Sequence, residues 1–194
     1  MKTKRKNQEI EIQVRVENSQ PLKELLENKA QFLSEKRQTD EYFVPAHRDF
    51  LAVKPIEEWL RLREEKGVYS ITYKKWYTSD DGRSWHCDEY ETKIEDIEQM
   101  KEIFKVINIK PIITVDKTRK NYIFQNYKIS FDSVKNLGDF VEVEYIGEEE
   151  VDGKKIAYEM IDFLKKLGCG KLERNNGGYP FMLLFPEETK FEEF

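Results

Sequence analysis

The sequence predicts an α+β protein in which one large antiparallel sheet, open or closed into a barrel, carries a few helices. Three observations point there. Seven segments read as strands in near succession, three others carry apolar residues at helical spacing, and the charges on the strands sort by sign. With 194 residues, 39% of them apolar, the chain can fill one core, since a domain usually takes roughly 100–200 residues.

Residues 1–8 are expected to be a loose basic lead, with four positive charges and no apolar stretch behind them. Glu9 to Glu17 alternates strictly. Ile10, Ile12, Val14 and Val16 share one face of this strand, and Glu9, Glu11, Gln13, Arg15 and Glu17 share the other. Pro21 then opens a helix expected to reach Leu33 through Leu22, Leu25, Leu26 and Phe32. Strands follow over 58–64, 69–76 and 84–93, with Ser79-Asp80-Asp81-Gly82 as a hairpin turn between the last two. Ile97, Met100, Ile103, Phe104 and Ile107 form a second helical stripe that ends before Pro111. Three more strands are expected over 112–118, 120–132 and 139–146. Lys154 to Leu167 is the third helix, with Gly168 placed as its C-cap. Asn175 to Pro180 reads as a turn into the apolar run Phe181 to Phe185, expected as a plug or edge strand. Residues 9–185 then form a single domain, followed by an acidic tail over 186–194.

Composition excludes several classes. The chain has 33 Lys and Arg against 38 Asp and Glu, a net charge of −5. That is not the one-sided basic field of a nucleic-acid binder, and none is expected as a partner. No apolar run approaches the ~18 residues of a membrane span. Two cysteines and two histidines are too few for a disulfide framework or a Cys/His zinc site. A soluble protein of the reducing cytoplasm is the expectation.

The strand charges carry the functional signal. Arg61 and Arg63 share a face opposite Leu60 and Leu62, Thr72 and Lys74 stand opposite Ile71 and Tyr73, and Glu89 and Glu91 are paired. Lys117 pairs with Arg119, Lys128, Ser130 and Asp132 line up, and Glu142 pairs with Glu144. Any one such pair is the ordinary solvated face of an antiparallel sheet. Together they separate into carboxylate strands and cationic strands, which points to a charged interior. A closed barrel can hold a ligand. Carboxylates suit a hard dication, and Arg and Lys suit phosphate oxygens.

These residues, in this order, resemble the CYTH superfamily, the triphosphate tunnel metalloenzymes that include class IV adenylyl cyclases and thiamine triphosphatases. The opening E-x-E-x-K strand is similar to Glu9-Ile10-Glu11-Ile12-Gln13, continuing to Arg15 as in the cyclase branch. Asp40-Glu41-Tyr42-Phe43 resembles D-x-Y-F, Leu60-Arg61-Leu62-Arg63 resembles L-R-x-R, and Thr72-Tyr73-Lys74 resembles T-x-K. Cys87-Asp88-Glu89-Tyr90-Glu91 resembles R-x-E-x-E, and Lys117-Thr118-Arg119 resembles K-x-R. The closing signature D-x-V-x-x-L-G-x-F-x-E-x-E is matched from Asp132 to Glu144. Gln13 and Cys87 depart from the pattern, each removing one positive charge, and Lys75, Arg83 and Lys128 are the nearby cations to restore it.

The resemblance implies a closed antiparallel barrel of about eight strands with flanking helices, its tunnel holding a triphosphate and a divalent metal. Glu9, Glu11, Glu142 and Glu144 would be the catalytic metal ligands for Mg2+ or Mn2+, joined by Asp132, Glu89 and Glu91. Arg15, Arg61, Arg63, Lys74, Lys117 and Arg119 would contact the phosphates of a triphosphate-containing small molecule. The leading expectation is an adenylyl cyclase that makes cyclic AMP and pyrophosphate from ATP. Hydrolysis of thiamine triphosphate, a nucleoside triphosphate or tripolyphosphate is the alternative, and a non-catalytic polyphosphate or nucleotide sensor is a third. The protein is expected to be a monomer or homodimer.

Overall fold

In the computed structural model, which describes residues 8–78, 82–148 and 151–194, eight antiparallel strands close into a barrel. The elements in chain order are β1 (Gln8–Val16), α1 (Gln20–Lys29), β2 (Gln31–Pro45), β3 (Glu58–Glu65), β4 (Val68–Thr78), β5 (Ser84–Ile94), α2 (Ile97–Val106) and β6 (Ile109–Phe124). There follow β7 (Tyr127–Val134), β8 (Gly138–Tyr145), α3 (Gly153–Lys166), β9 (Leu172–Arg174), α4 (Gly178–Leu184) and β10 (Glu192–Glu193). Around the ring the order is β1-β5-β4-β3-β2-β6-β7-β8, and β8 returns to β1.

Closure depends on β1 using both of its edges. Glu11 to Val14 pair with Glu144 to Val141 of β8. On the other edge, Gln8 to Ile10 pair with β5 and Val14 to Val16 with β9. Between β3 and β4, Lys66 and Gly67 take positive φ of 52° and 77°, which gives a two-residue turn whose twist matches its strands.

Period-2 alternation decides what faces where. Ile10, Ile12 and Val14 of β1, Ile129 of β7, and Val141 and Val143 of β8 turn outward, into a core with Leu22 and Leu26 of α1 and Ile156, Met160 and Leu164 of α3. Phe43 and Leu62 pack in the same way on Phe104 of α2. Asp96 and Asp152 start α2 and α3 by accepting the backbone N–H groups of Gln99 and Lys155 at 3.0 and 2.9 Å. Past the end of α3, Gly168 sits at φ 91°, as its position predicts. The apolar pleats are therefore outside and the charged pleats inside. Leu164→Ala, at a fully buried site in the outer core, should cost about 2–5 kcal/mol. Its denaturant midpoint should fall while ligand binding inside the barrel stays unchanged.

Several expectations are corrected. The helix expected to reach Leu33 ends at Lys29, and Phe32 and Leu33 lie in β2, which sequence periodicity did not predict. In β2 the buried face holds Gln38 and Asp40 while Glu35 and Arg37 lie on the other side, so both faces are polar and no hydropathy period arises. The strands expected at 112–118 and 120–132 are one long strand, β6, followed by a turn at Gln125-Asn126 and then β7. The Arg119-Lys120-Asn121 stretch looks like a break but is strand whose charged pleat faces the interior. The apolar run Phe181 to Phe185 belongs mainly to a helix, α4, instead of an edge strand. In the segment read as a tail, β10 pairs with β9 and Phe191 lies 4.3 Å from the Arg15 guanidinium. The hairpin turn expected at residues 79–82 and the basic lead at 1–8 fall largely outside the described residues. No helix among the described residues is long and apolar enough to cross a membrane.

Candidate functional site

The barrel encloses a cavity of about 220 Å³. Its wall includes Glu9, Glu11 and Gln13 of β1, Arg61 and Arg63 of β3, Thr72 and Lys74 of β4, and Glu89 and Glu91 of β5. Lys117 and Arg119 of β6, Lys128 of β7, and Glu142 and Glu144 of β8 complete the charged lining. The loop and first turn at Arg174 to Pro180 close one end, where Tyr179 packs edge-on to Phe140 with ring centroids 5.0 Å apart. A side chain at Gly177 would collide with the ring of Phe181, so the close approach of this loop to α4 requires glycine.

The charges fall into groups. Asp40 accepts from Arg63 Nε and Nη2 at 2.6 and 2.7 Å, with Arg61 at 3.6 Å. Arg119 donates to both Asp132 oxygens and, at 2.7 Å each, to both Glu142 oxygens. Asp132 also accepts from the Tyr179 hydroxyl at 2.8 Å, and Lys117 stands 3.4 Å from it. Lys74 lies 2.7 Å from Glu9, 2.8 Å from Glu89 and 3.7 Å from Glu11. Lys128 pairs with Glu144 at 2.7 Å.

The electrostatics distinguish braced groups from open ones. Burial alone would raise Asp40, but Arg63 and Arg61 outweigh it and hold the carboxyl well below the usual range. In the same way Arg119, with Lys117, overrides burial at Glu142 and Asp132 and keeps both low. At Glu9 burial wins, helped by Glu89 and Glu11 against Lys74, and the carboxyl rises to about 8. Burial also raises Glu11, with Glu142, Glu144 and Glu89 adding repulsion. At Glu89 burial is outweighed by Lys74, the bond with Glu9 and Arg61, which bring it down to about 2. Burial, with the Arg119 charge, lowers Lys117 to about 8. Burial first, and repulsion from neighbouring carboxylates second, therefore disfavour the charged forms of Glu9 and Glu11 despite Lys74.

Of the residues singled out in the sequence, Arg15 stands apart. It is absent from the cavity wall, donates to the Leu137 carbonyl at 2.9 Å and lies over the rings of Phe140 and Phe191. Asp132 lies behind Arg119 and is not part of the lining, while Glu91 is half-exposed and accepts from Thr72 Oγ1 at 2.8 Å. The remaining candidates line the cavity. Among the described residues Arg61 is the most loosely held of the lining cations: its Nε finds no hydrogen-bond partner there, and its Nη atoms stand 3.6 Å from Asp40 and Glu89 and 3.7 Å from Glu91. Among the three cations named as compensating, Lys128 enters the cavity, whereas Lys75 and Arg83 bond to Glu57 and Glu192 and do not line it. Tyr42, singled out in the sequence with Asp40, lines the wall, whereas sequence reasoning missed Trp59 and Trp76. Each of these lies two residues along the same strand from Arg61 or Lys74, so extending the period-2 pattern would have found them. Asn175 and Asn176 carried only a turn signal.

Whether the donors suit a metal follows from their chemistry. Glu9, Glu11, Glu89 and Glu144 offer only oxygen, the set a hard dication prefers. Lys74 occupies the space among the first three, and among the described residues no three acidic, His or Cys side chains form a ready cage. The raised Glu9 and Glu11 show that this wall could take additional positive charge. The donor set fits such a cation, with Lys74 moving aside. Glu142 does not belong to that open set, because Arg119 takes both of its oxygens.

Comparison with known proteins agrees with this architecture. A Methanocaldococcus jannaschii protein named "Putative adenylate cyclase MJ0240" is 34% identical over 164 residues, covering 84% of this chain and 91% of that one. The structure of the PH1819 protein of Pyrococcus horikoshii OT3 superposes with a TM-score of 0.72 at 24% identity, covering 93% and 99% of the two chains. The Hippeastrum protein HpAC1, described as having a dominant triphosphatase activity, superposes with a TM-score of 0.64 at 19% identity, covering 92% and 96%. The model of one family, the CYTH domain, matches residues 7–179. With the barrel, its charged interior and this match together, the chain belongs to the CYTH domain family.

Proposed function

We propose that this chain is a divalent-metal-dependent enzyme that holds a triphosphate in the barrel and converts ATP to cyclic AMP and pyrophosphate. The observation that carries the reading is the cavity wall, where Arg61, Lys74, Lys117 and Lys128 face Glu9, Glu11, Glu89 and Glu144 across one space. The name of the 34% identical relative favours the cyclase over other triphosphate chemistry. Glu9, Glu11, Glu89 and Glu144 would hold Mg2+ or Mn2+, which when bound supplies Lewis-acid charge that acidifies a hydroxyl and offsets phosphate charge.

The chain's own part is positioning. Arg61, with its uncommitted donors, binds phosphate oxygens, and Lys117 gains full charge as an anion approaches. Arg63 and Arg119 are fixed by Asp40, Asp132 and Glu142, so the wall keeps its shape without reorganising during reaction. The ribose 3′-hydroxyl is thereby held in line with the α-phosphorus, its proton passes to solvent water, the new oxygen–phosphorus bond forms as the bond to pyrophosphate breaks, and the leaving group stays among cations. No side-chain nucleophile is required.

Hydrolysis of the triphosphate is the second reading, favoured by the activity described for the Hippeastrum protein of the same fold. A product-resolved assay separates the two. With ATP and Mn2+ or Mg2+, cyclic AMP and pyrophosphate are expected. ADP and inorganic phosphate as sole products would replace the cyclase with a hydrolase, and parallel incubations with GTP, thiamine triphosphate and tripolyphosphate would name its substrate.

A further inference from the structure

Lys128 has a place in this cavity that the family pattern does not give it. It opens β7, and in register across three strands it forms a row with Glu144 of β8 and Glu11 of β1. The next row inward holds Ser130, Glu142 and Gln13, none of them cationic, and its Glu142 is taken by Arg119 of β6. Cys87, the other position lacking a family cation, is fully buried beside Glu9. The side chain of Lys128 is 35% exposed, whereas those of the other lining cations are 16% or less. Lys128 thus stands at the outer part of the wall. Among the described residues Lys128 pairs with one carboxylate, Glu144, as Lys117 does with Asp132 and Arg63 with Asp40, against two for Arg119 and three for Lys74.

We propose that Lys128 is a phosphate-binding residue of this cavity, held on Glu144 until a ligand phosphate draws its ammonium inward. This rests on reading the cavity as a triphosphate site. The four-carbon stem lets the ammonium swing while its strand stays fixed. Leaving Glu144 strips that carboxylate of its counter-charge, so a cation on Glu144 and an anion on Lys128 each favour the other. Lys128 is in this way both a competitor of the metal for Glu144 and a recruit for the substrate.

The proposal requires two effects of opposite sign from one substitution. In EDTA, where turnover is absent, calorimetric titration with inorganic tripolyphosphate should show Lys128→Met binding about tenfold more weakly than the unaltered protein, the loss of one charge-assisted contact. Lys128→Arg should recover most of the affinity. Titrated with Mn2+ alone, Lys128→Met should bind more tightly than the unaltered protein, because the ammonium no longer competes for Glu144. Lys75→Met, which removes a lysine bonded to Glu57 outside the cavity, should change neither. Equal tripolyphosphate affinity in the unaltered protein and Lys128→Met overturns the proposal. So does parallel weakening toward both ligands, which would mark a structural role, and Lys128→Gln repeats the test if the methionine variant folds poorly. If the unaltered protein itself binds no tripolyphosphate, the triphosphate reading of the cavity fails and takes this proposal with it.

Discussion

Asp40→Asn should lower stability by about 3–5 kcal/mol, the usual cost of stripping a buried ion pair of one partner. Asp40 is 1% exposed and answers two guanidinium groups, Arg63 at 2.6 and 2.7 Å and Arg61 at 3.6 Å. Asparagine keeps the shape but takes from Arg63 its paired carboxylate and leaves Arg61 with only Glu89 and Glu91, at 3.6 and 3.7 Å. The pH dependence gives the sign. Arg63 and Arg61 hold Asp40 below its ordinary 3.8, so below that value the unfolded chain binds a proton that the folded chain resists. The stabilisation is complete above about 3.8 and drains away as pH falls further. Urea midpoints of the two proteins should therefore lie far apart near neutrality and converge in acid, with equal slopes. A loss under about 1 kcal/mol at neutrality, within the range of an exposed pair, would show that Asp40 is not the brace.

Glu11→Gln and Glu144→Gln should act in the opposite way. Turnover at saturating Mn2+ should fall by about 10²–10³, the scale of losing one preorganised charged group. Stability without metal should hold or rise for Glu11→Gln, because burial and three neighbouring carboxylates already work against that charge. Activity above a tenth of the original in both variants would remove these carboxylates from the metal site. Glu142→Gln is the poorer probe, since it also loosens Arg119, and a loss of activity there would not separate ligation from structure.

The legible part of this protein was its period-2 face. Glu9, Glu11, Arg61, Arg63, Lys74, Glu142 and Glu144 could be placed on common faces from spacing alone, and each now lines the cavity. What spacing could not supply was partnership across strands. Nothing near Arg119 in sequence shows that it would hold Asp132 and Glu142 together, because those pairings depend on the register of β6, β7 and β8. Arg15 illustrates the limit. Its parity is right, yet the C-terminal segment brings Phe191 over it and Leu137 supplies a carbonyl. β2 escaped notice for the converse reason: hydropathy reads a contrast between two faces, and a strand with polar groups on both presents none.

Because the aliphatic residues of β1, β7 and β8 sit on the outer pleat, much of the energy that keeps the ring shut is supplied by helices that never meet the ligand. Evolution, or an engineer, can therefore rewrite the inner pleat to suit a new substrate, provided each ion is exchanged together with its mate, while the load-carrying girdle of α1, α2 and α3 stays as it is.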